Sequence, residues 1–130
     1  GLLVGWHTLF LIFLPTVCIG AIVGAWGFYI QHSFEDAYFA HAANFDRRTA
    51  ILRGCSRLVL PRFFDWLTGW IGYHSLHHLN PRIPCYRLRA CWNVTKEYFT
   101  ETPQFTARES LRLVGLALWD EKAQKMVRFS

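Results

Sequence analysis

The chain has 130 residues, 52% of them hydrophobic and 17% aromatic, with 14 Lys and Arg against 9 Asp and Glu for a net charge of +5. That length allows one modest domain at most, and the apolar excess excludes an ordinary soluble globule. The basic residues are interleaved with Trp, Phe and Leu rather than gathered into a stripe, which argues for anionic lipid headgroups and no nucleic acid as partner.

The first 30 residues carry no Asp, Glu, Lys or Arg. An uncharged apolar stretch of this length reads as membrane-spanning. One helix over residues 2–30 would be about 43 Å long against about 30 Å for a bilayer core, so Pro15 is expected to divide the run. The tail of one apolar segment is expected over residues 1–13 and the spanning helix over about 13–30. Gly20 and Gly24 form a small-xxx-small pattern suited to close helix packing. Trp26, Phe28 and Tyr29 suit the aromatic belt at a membrane–water interface. A secretory leader is not indicated, because the basic n-region and small-residue cleavage site are missing. With Gly1 already inside apolar sequence, the chain reads as a piece cut within a membrane protein. Every Lys and Arg lies at or after Arg47. The positive-inside rule then makes residues 1–31 a membrane segment and residues 32–130 a cytoplasmic cap and tail.

Residues 37–58 are expected to be helical, with Asp46-Arg47-Arg48 as a charged break. Pro61 opens a further helix whose apolar positions 63, 66, 67, 70 and 71 share a face, and the same spacing runs on to His74, His77 and His78. On that reading the aromatic stripe rests on lipid, walls an apolar substrate tunnel, or does both. Asn80-Pro81 and Ile83-Pro84 stop the helix. From Tyr86 onward the chain reads as a polar tail. Thr106 to Glu109 has the form of a capping box before a short helix through Leu111, Leu113 and Leu118, and a turn and strand close the chain near Met126. The expected fold class is all-α: one spanning helix plus part of another, then a helical cytoplasmic cap.

The cap carries the chemistry. His74, His77 and His78 stand at i, i+3 and i+4, so on a helix they share a face and can converge on a metal ion. Imidazole suits iron, zinc, copper and nickel alike. His32, at the cytoplasmic end of the spanning helix, is the best local candidate for a further ligand, and Glu35, at i+3 from it, is either an acceptor for a ligating imidazole or its water or, at least as readily, a solvated charge at the helix end. His7 lies inside the apolar run, where an unpaired imidazole is costly. His41 reads as an ordinary histidine. Cys18, Cys55, Cys85 and Cys91 form no Cys-x-x-Cys pair and read as free thiols. Phosphate-loop, serine-hydrolase and thiol-nucleophile motifs are missing.

Three stretches carry a resemblance: Phe28 to Glu35 (FYIQHSFE), Leu60-Pro61-Arg62 with Trp66-Leu67-Thr68-Gly69, and Ile71 to Leu88 (IGYHSLHHLNPRIPCYRL). Together with the ending Leu116 to Glu121, they make the chain resemble the C-terminal part of the membrane fatty acid desaturase family, closest to bacterial acyl-lipid desaturases of the omega-6 type. The resemblance implies two iron ions held mainly by histidines on the cytoplasmic side of a bacterial inner membrane. It implies O2, a fatty acyl substrate, membrane lipid, and an electron donor such as ferredoxin or a cytochrome. It assigns His74, His77 and His78 to the third histidine box and His32 to the additional ligand; it names no catalytic residue beyond these metal ligands. The first two histidine boxes of the family are not in these residues, so the fragment alone is expected to be inactive, its di-iron centre completed by ligands from elsewhere. Trp70 stands where relatives often carry Asn, and Ser75 where many carry a further His. Two other readings remain open: a related hydroxylase or ketolase, and a non-catalytic membrane anchor binding zinc.

Overall fold

Pro15 does not divide the apolar run. In the computed structural model, which describes residues 5–129, helical backbone continues over 28 residues from Gly5 to His32. It starts as α1 (Gly5–Thr8), passes through a π turn at Leu9–Phe13 and continues as α2 (Leu14–His32). The π turn explains why the proline is tolerated. The Leu14 N–H donates to the Leu9 carbonyl five residues back, which leaves Pro15 in the first turn of α2, where its missing N–H costs little. The Thr16 hydroxyl donates to the Ile12 carbonyl at 2.7 Å. One spanning helix plus part of another is thus corrected to one continuous helix; residues 1–4 lie outside the described residues. At about 42 Å it is long and apolar enough to cross a membrane, with tilt absorbing the surplus.

The all-α expectation also needs correction. The chain is mostly helical, but two two-stranded sheets are present. Residues 37–46 are not α-helical, and Asp46 is a helix start rather than a break. Its carboxylate accepts from the Thr49 N–H at 2.7 Å and caps α3 (Arg47–Arg53). Strand β1 (Arg57–Val59) follows, pairing in parallel with β2 (Gln104–Thr106). Pro61 caps α4 (Arg62–Leu67) as expected, but the helix stops there. Gly69 and Trp70 both take left-handed backbone, φ 63° and 58°, so the aromatic stripe does not run on into the histidines on one helix. A 3₁₀ turn at Ile71–Tyr73 leads instead into α5 (His74–Leu79).

Asn80 ends α5, and Pro84 starts α6 (Cys85–Thr95) in what reads from sequence as a tail. The capping box at Thr106 and Glu109 forms as expected and opens α7 (Ala107–Ser110). The helix expected through Leu118 does not continue; its residues enter β3 (Leu116–Asp120), which pairs antiparallel with β4 (Lys125–Arg128). Leu113, Leu116 and Met126 are needed in a core shared with α2, and an extended strand reaches it.

Two apolar cores result. Ile30, Phe34, Ala37, Leu58, Leu113 and Met126 join the end of α2 to β1 and the hairpin. Ile51, Tyr73, Leu76, Leu88, Trp92 and Phe99 join α3, α5 and α6. Strand β1 separates them, because successive side chains point to opposite faces. Leu58 enters the first core, while the Arg57 guanidinium lies 4.8 Å and 4.5 Å from the ring centres of Tyr73 and Trp92 in the second.

Candidate metal centre

His32 ends α2 and His74 begins α5, 42 residues later, yet their Nε2 atoms lie 2.8 Å apart. His78, one turn along α5, brings its Nε2 to 2.9 Å from that of His74. The three donor atoms all lie within 4.8 Å of one another. The His77 ring centre is 6.1 Å from those of both His74 and His78, and this residue stands outside the group of three. It faces a cleft of about 530 Å³ shared with His74, whose walls include Trp70, Ile71, Tyr73 and Leu88.

The chain holds these rings through backbone. A carbonyl oxygen only accepts, so the His32 Nδ1 that lies 3.2 Å from the Gly54 carbonyl is the protonated nitrogen. The His32 Nε2 lone pair is then left to face His74. Cys55 Sγ lies 3.8 Å from the same Nδ1, and burial pushes this thiol up to about 11. The end of α2 is fastened to the α5 segment by Gln31, whose Nε2 donates to the Ile71 carbonyl at 2.7 Å, and to β1 by Ser56, whose hydroxyl donates to the Ile30 carbonyl. Gly72 permits the remaining contact. A Cβ at this position would stand 2.2 Å from the Leu58 carbonyl oxygen, so only glycine lets the turn before His74 meet β1.

The donor set suits a cation. Three ring nitrogens converge, and a single N–H between two of them cannot satisfy all three. Ligands about 2.1 Å from one ion would stand about 3 Å apart at right angles, close to the 2.8 Å and 2.9 Å from His74 Nε2 to those of His32 and His78, while the group's full span of 4.8 Å must narrow for all three to share one ion. Metal ligands must also be deprotonated. Burial, with the imidazoles of His78, His32 and His77 adding to it, pulls His74 down to about 3. Burial likewise lowers His78, helped by His32 and His77.

Glu35 does not serve His32. Its carboxylate is exposed and accepts from Lys125 of β4 at 3.3 Å. His7 and His41 are exposed and lie apart from the group of three. The four cysteines are free, as expected. Gly54 and Gly72 were not foreseen as site residues, and no local signal marks them. Each acts through a backbone contact to a segment distant in sequence.

A family model described as fatty acid desaturase matches residues 1–108. The chain belongs to the fatty acid desaturase family. A fatty acid desaturase of Bacillus subtilis (strain 168) is 38% identical over 128 residues, covering 98% of this chain and 36% of that protein. A Delta(6)-fatty-acid desaturase of Caenorhabditis elegans is 33% identical over 72 residues, or 55% of this chain and 16% of the relative. A chloroplastic omega-6 fatty acid desaturase of Glycine max is 31% identical over 68 residues, 52% of this chain and 16% of the relative. The chain thus spans about a third or less of the length of these relatives. No solved structure matches.

Proposed function

We propose that this chain supplies part of a histidine-ligated iron centre of a membrane-embedded desaturase, which introduces a double bond into a fatty acyl chain using O2 and electrons from a ferredoxin or a cytochrome. The observation that carries the reading is the convergence of three Nε2 atoms from two distant helices, with the central one held neutral. Iron, when bound, supplies the oxygen chemistry needed to break an unactivated C–H bond. His32, His74 and His78 would hold one ion. His77 would serve a second, completed by ligands outside these residues.

The chain's own residues prepare and shield that centre. The Gly54 carbonyl keeps the proton on His32 Nδ1, so that Nε2 remains the donor. Phe28, its ring 5.2 Å from that of His32 and 6.5 Å from that of His74, covers the cluster with an apolar surface. The cleft beside His74 and His77 offers mostly apolar walls, suited to an acyl chain rather than a charged substrate. With α2 crossing the bilayer, the histidines stand at its cytoplasmic face, where the Lys and Arg residues lie.

The test is the full-length enzyme in its membrane, assayed by elemental analysis and by mass spectrometry of its acyl products. Iron and a new double bond are expected. His74→Ala is expected to reduce iron content and product by more than the roughly 10- to 100-fold typical of losing an outer-shell partner. Zinc without iron would overturn the desaturase reading in favour of an anchor. Added oxygen in place of a double bond would replace it with a hydroxylase.

A further inference from the structure

Helix α4 is inside out for a helix in water. Asp65, its acidic residue, is 7% exposed, whereas Phe63, Phe64, Trp66 and Leu67 are 64%, 50%, 61% and 60% exposed. The aromatic rings touch one another, Phe63 against Phe64 and Trp66 with centroids 5.5 Å and 6.3 Å apart. The resulting apolar patch, on the order of 500 Å², is of the size that marks an interaction surface.

Two observations say what covers it. The first is depth. The chain leaving α4 is fastened to the last turns of α2: the Ile71 Cδ1 lies 4.0 Å from where a Cβ of Gly27 would stand, and the Ile71 carbonyl accepts from Gln31. Helix α4 is therefore anchored beside the turn of α2 that carries Trp26, Phe28 and Tyr29, where a membrane–water boundary would fall. The second is charge. Arg62 and Arg89 line the same groove as Phe63 and Trp66, and among the described residues neither makes an ion pair. A covering protein segment would have to bring carboxylates to both, whereas anionic headgroups supply phosphate at that level.

We infer that α4 is a membrane-docking element, laying Phe63, Phe64, Trp66 and Leu67 into the headgroup–acyl boundary of an anionic bilayer, with Arg62 and Arg89 at the phosphates. The inference rests on the proposal that α2 crosses the membrane. It gives α4 a purpose beyond walling a cleft. Through Ile71 and Tyr73, the docked helix sets the height of His74 above the lipid surface.

The test places a photoreactive benzoylphenylalanine at position 63, one aromatic for another, in the full-length protein reconstituted into phosphatidylethanolamine–phosphatidylglycerol vesicles. Position 22 in the middle of α2 serves as the reference for lipid, and position 98, 74% exposed in a groove lined by α3 and Leu79 and by no residue of α4, as the reference for no lipid contact. Lipid adducts at 63 and 22 but not at 98 are expected, with the yield at 63 falling when phosphatidylcholine replaces phosphatidylglycerol. Lipid adducts at 22 with protein crosslinks at 63 would overturn the inference alone and show α4 covered by another part of the chain. Lipid adducts at 22 with no adduct at 63 would overturn it in favour of water. No lipid adduct at 22 would sink the membrane-spanning reading and this inference together.

Discussion

The two apolar cores differ in what they hold. The first, around Phe34 and Leu58, fixes the end of α2 and with it His32. The second, around Leu76 and Trp92, fixes α5 and with it His74 and His78. Neither core contains the complete group of three, so the proposed centre forms only where the two meet across β1. The contrast teaches that ligand geometry here depends on docking between cores more than on the helix that carries two of the histidines.

The strongest way to break the comparison is to empty one core. Trp92 is 5% exposed and packs on Phe99 and Tyr73 with ring centroids 5.1 Å and 5.9 Å away. Trp92→Ala is expected to cost about 3–5 kcal/mol, read by unfolding titration in mixed micelles. Hydrogen exchange should quicken over residues 74–99 while residues 26–34 remain protected. Equal loss of protection in both regions would show that the cores are one cooperative unit.

Gly72→Ala attacks the junction instead. Its Cβ would meet the Leu58 carbonyl oxygen, which belongs to backbone and can move only by shifting β1. The expected cost is about 1–3 kcal/mol. Iron content should fall further than stability does, because His74 is displaced relative to His32 while each core stays packed. Unchanged iron at reduced stability would remove Gly72 from the account of the site.

Arg57 sharpens the same point by a smaller amount. Its guanidinium lies against both Tyr73 and Trp92 and donates to the Gln104 side chain at 2.8 Å. Arg57→Gln is expected to cost about 1–2 kcal/mol, taking each of the two stacking contacts at roughly 0.5–1. Arg57→Lys should recover only part of that, since an ammonium cannot stack as a plane. Full recovery by lysine would make charge, not stacking, the reason for an arginine at the partition.

Much of this was legible in the sequence, and each miss has its own physical cause. Local rules gave the end of the long apolar helix near His32, the start of α4 at Pro61, the stop before Pro81 and the capping box at Thr106, because each is decided by neighbours within four residues. The i, i+4 spacing of His74 and His78 likewise put both rings on one face. Helical periodicity failed at Trp70, where left-handed backbone costs a non-glycine residue about 1–2 kcal/mol and the turn that closes α4 and opens the next one holds it. The Trp70 N–H donates to the Asp65 carbonyl at 2.7 Å and its carbonyl accepts from Tyr73 at 3.1 Å. Asn tolerates that conformation better, which gives a physical sense to the Asn that the family resemblance suggests there. Glu35 failed for the opposite reason. Its spacing from His32 was right for a helix, but α2 ends at His32, and the chain beyond turns the carboxylate to Lys125. The Gly54 and Gly72 contacts could not be read at all, since neither partner is near in sequence.

The smallest expected effect concerns pH and again separates local from long-range structure. Hydrogen bonds from Thr49 hold the Asp46 carboxyl below its ordinary range, and hydrogen bonds from Thr106 do the same for Glu109. A carboxylate depressed in the folded state adds stability above its unfolded value, about 4, and that stability is lost as pH falls through the lower folded value. Both groups are fully exposed, so the effect is confined to the starts of α3 and α7. Lowering the pH from 5 to 3 should therefore quicken hydrogen exchange at the first turn of α3 and of α7 before it reaches either core. Asp46→Asn keeps a capping oxygen but has no carboxyl to titrate, so it should flatten the response at α3 and leave that at α7 unchanged. If α3 in this variant still opens with acid, groups other than its cap govern its acid response, and the first turn is not independent of the second core behind it.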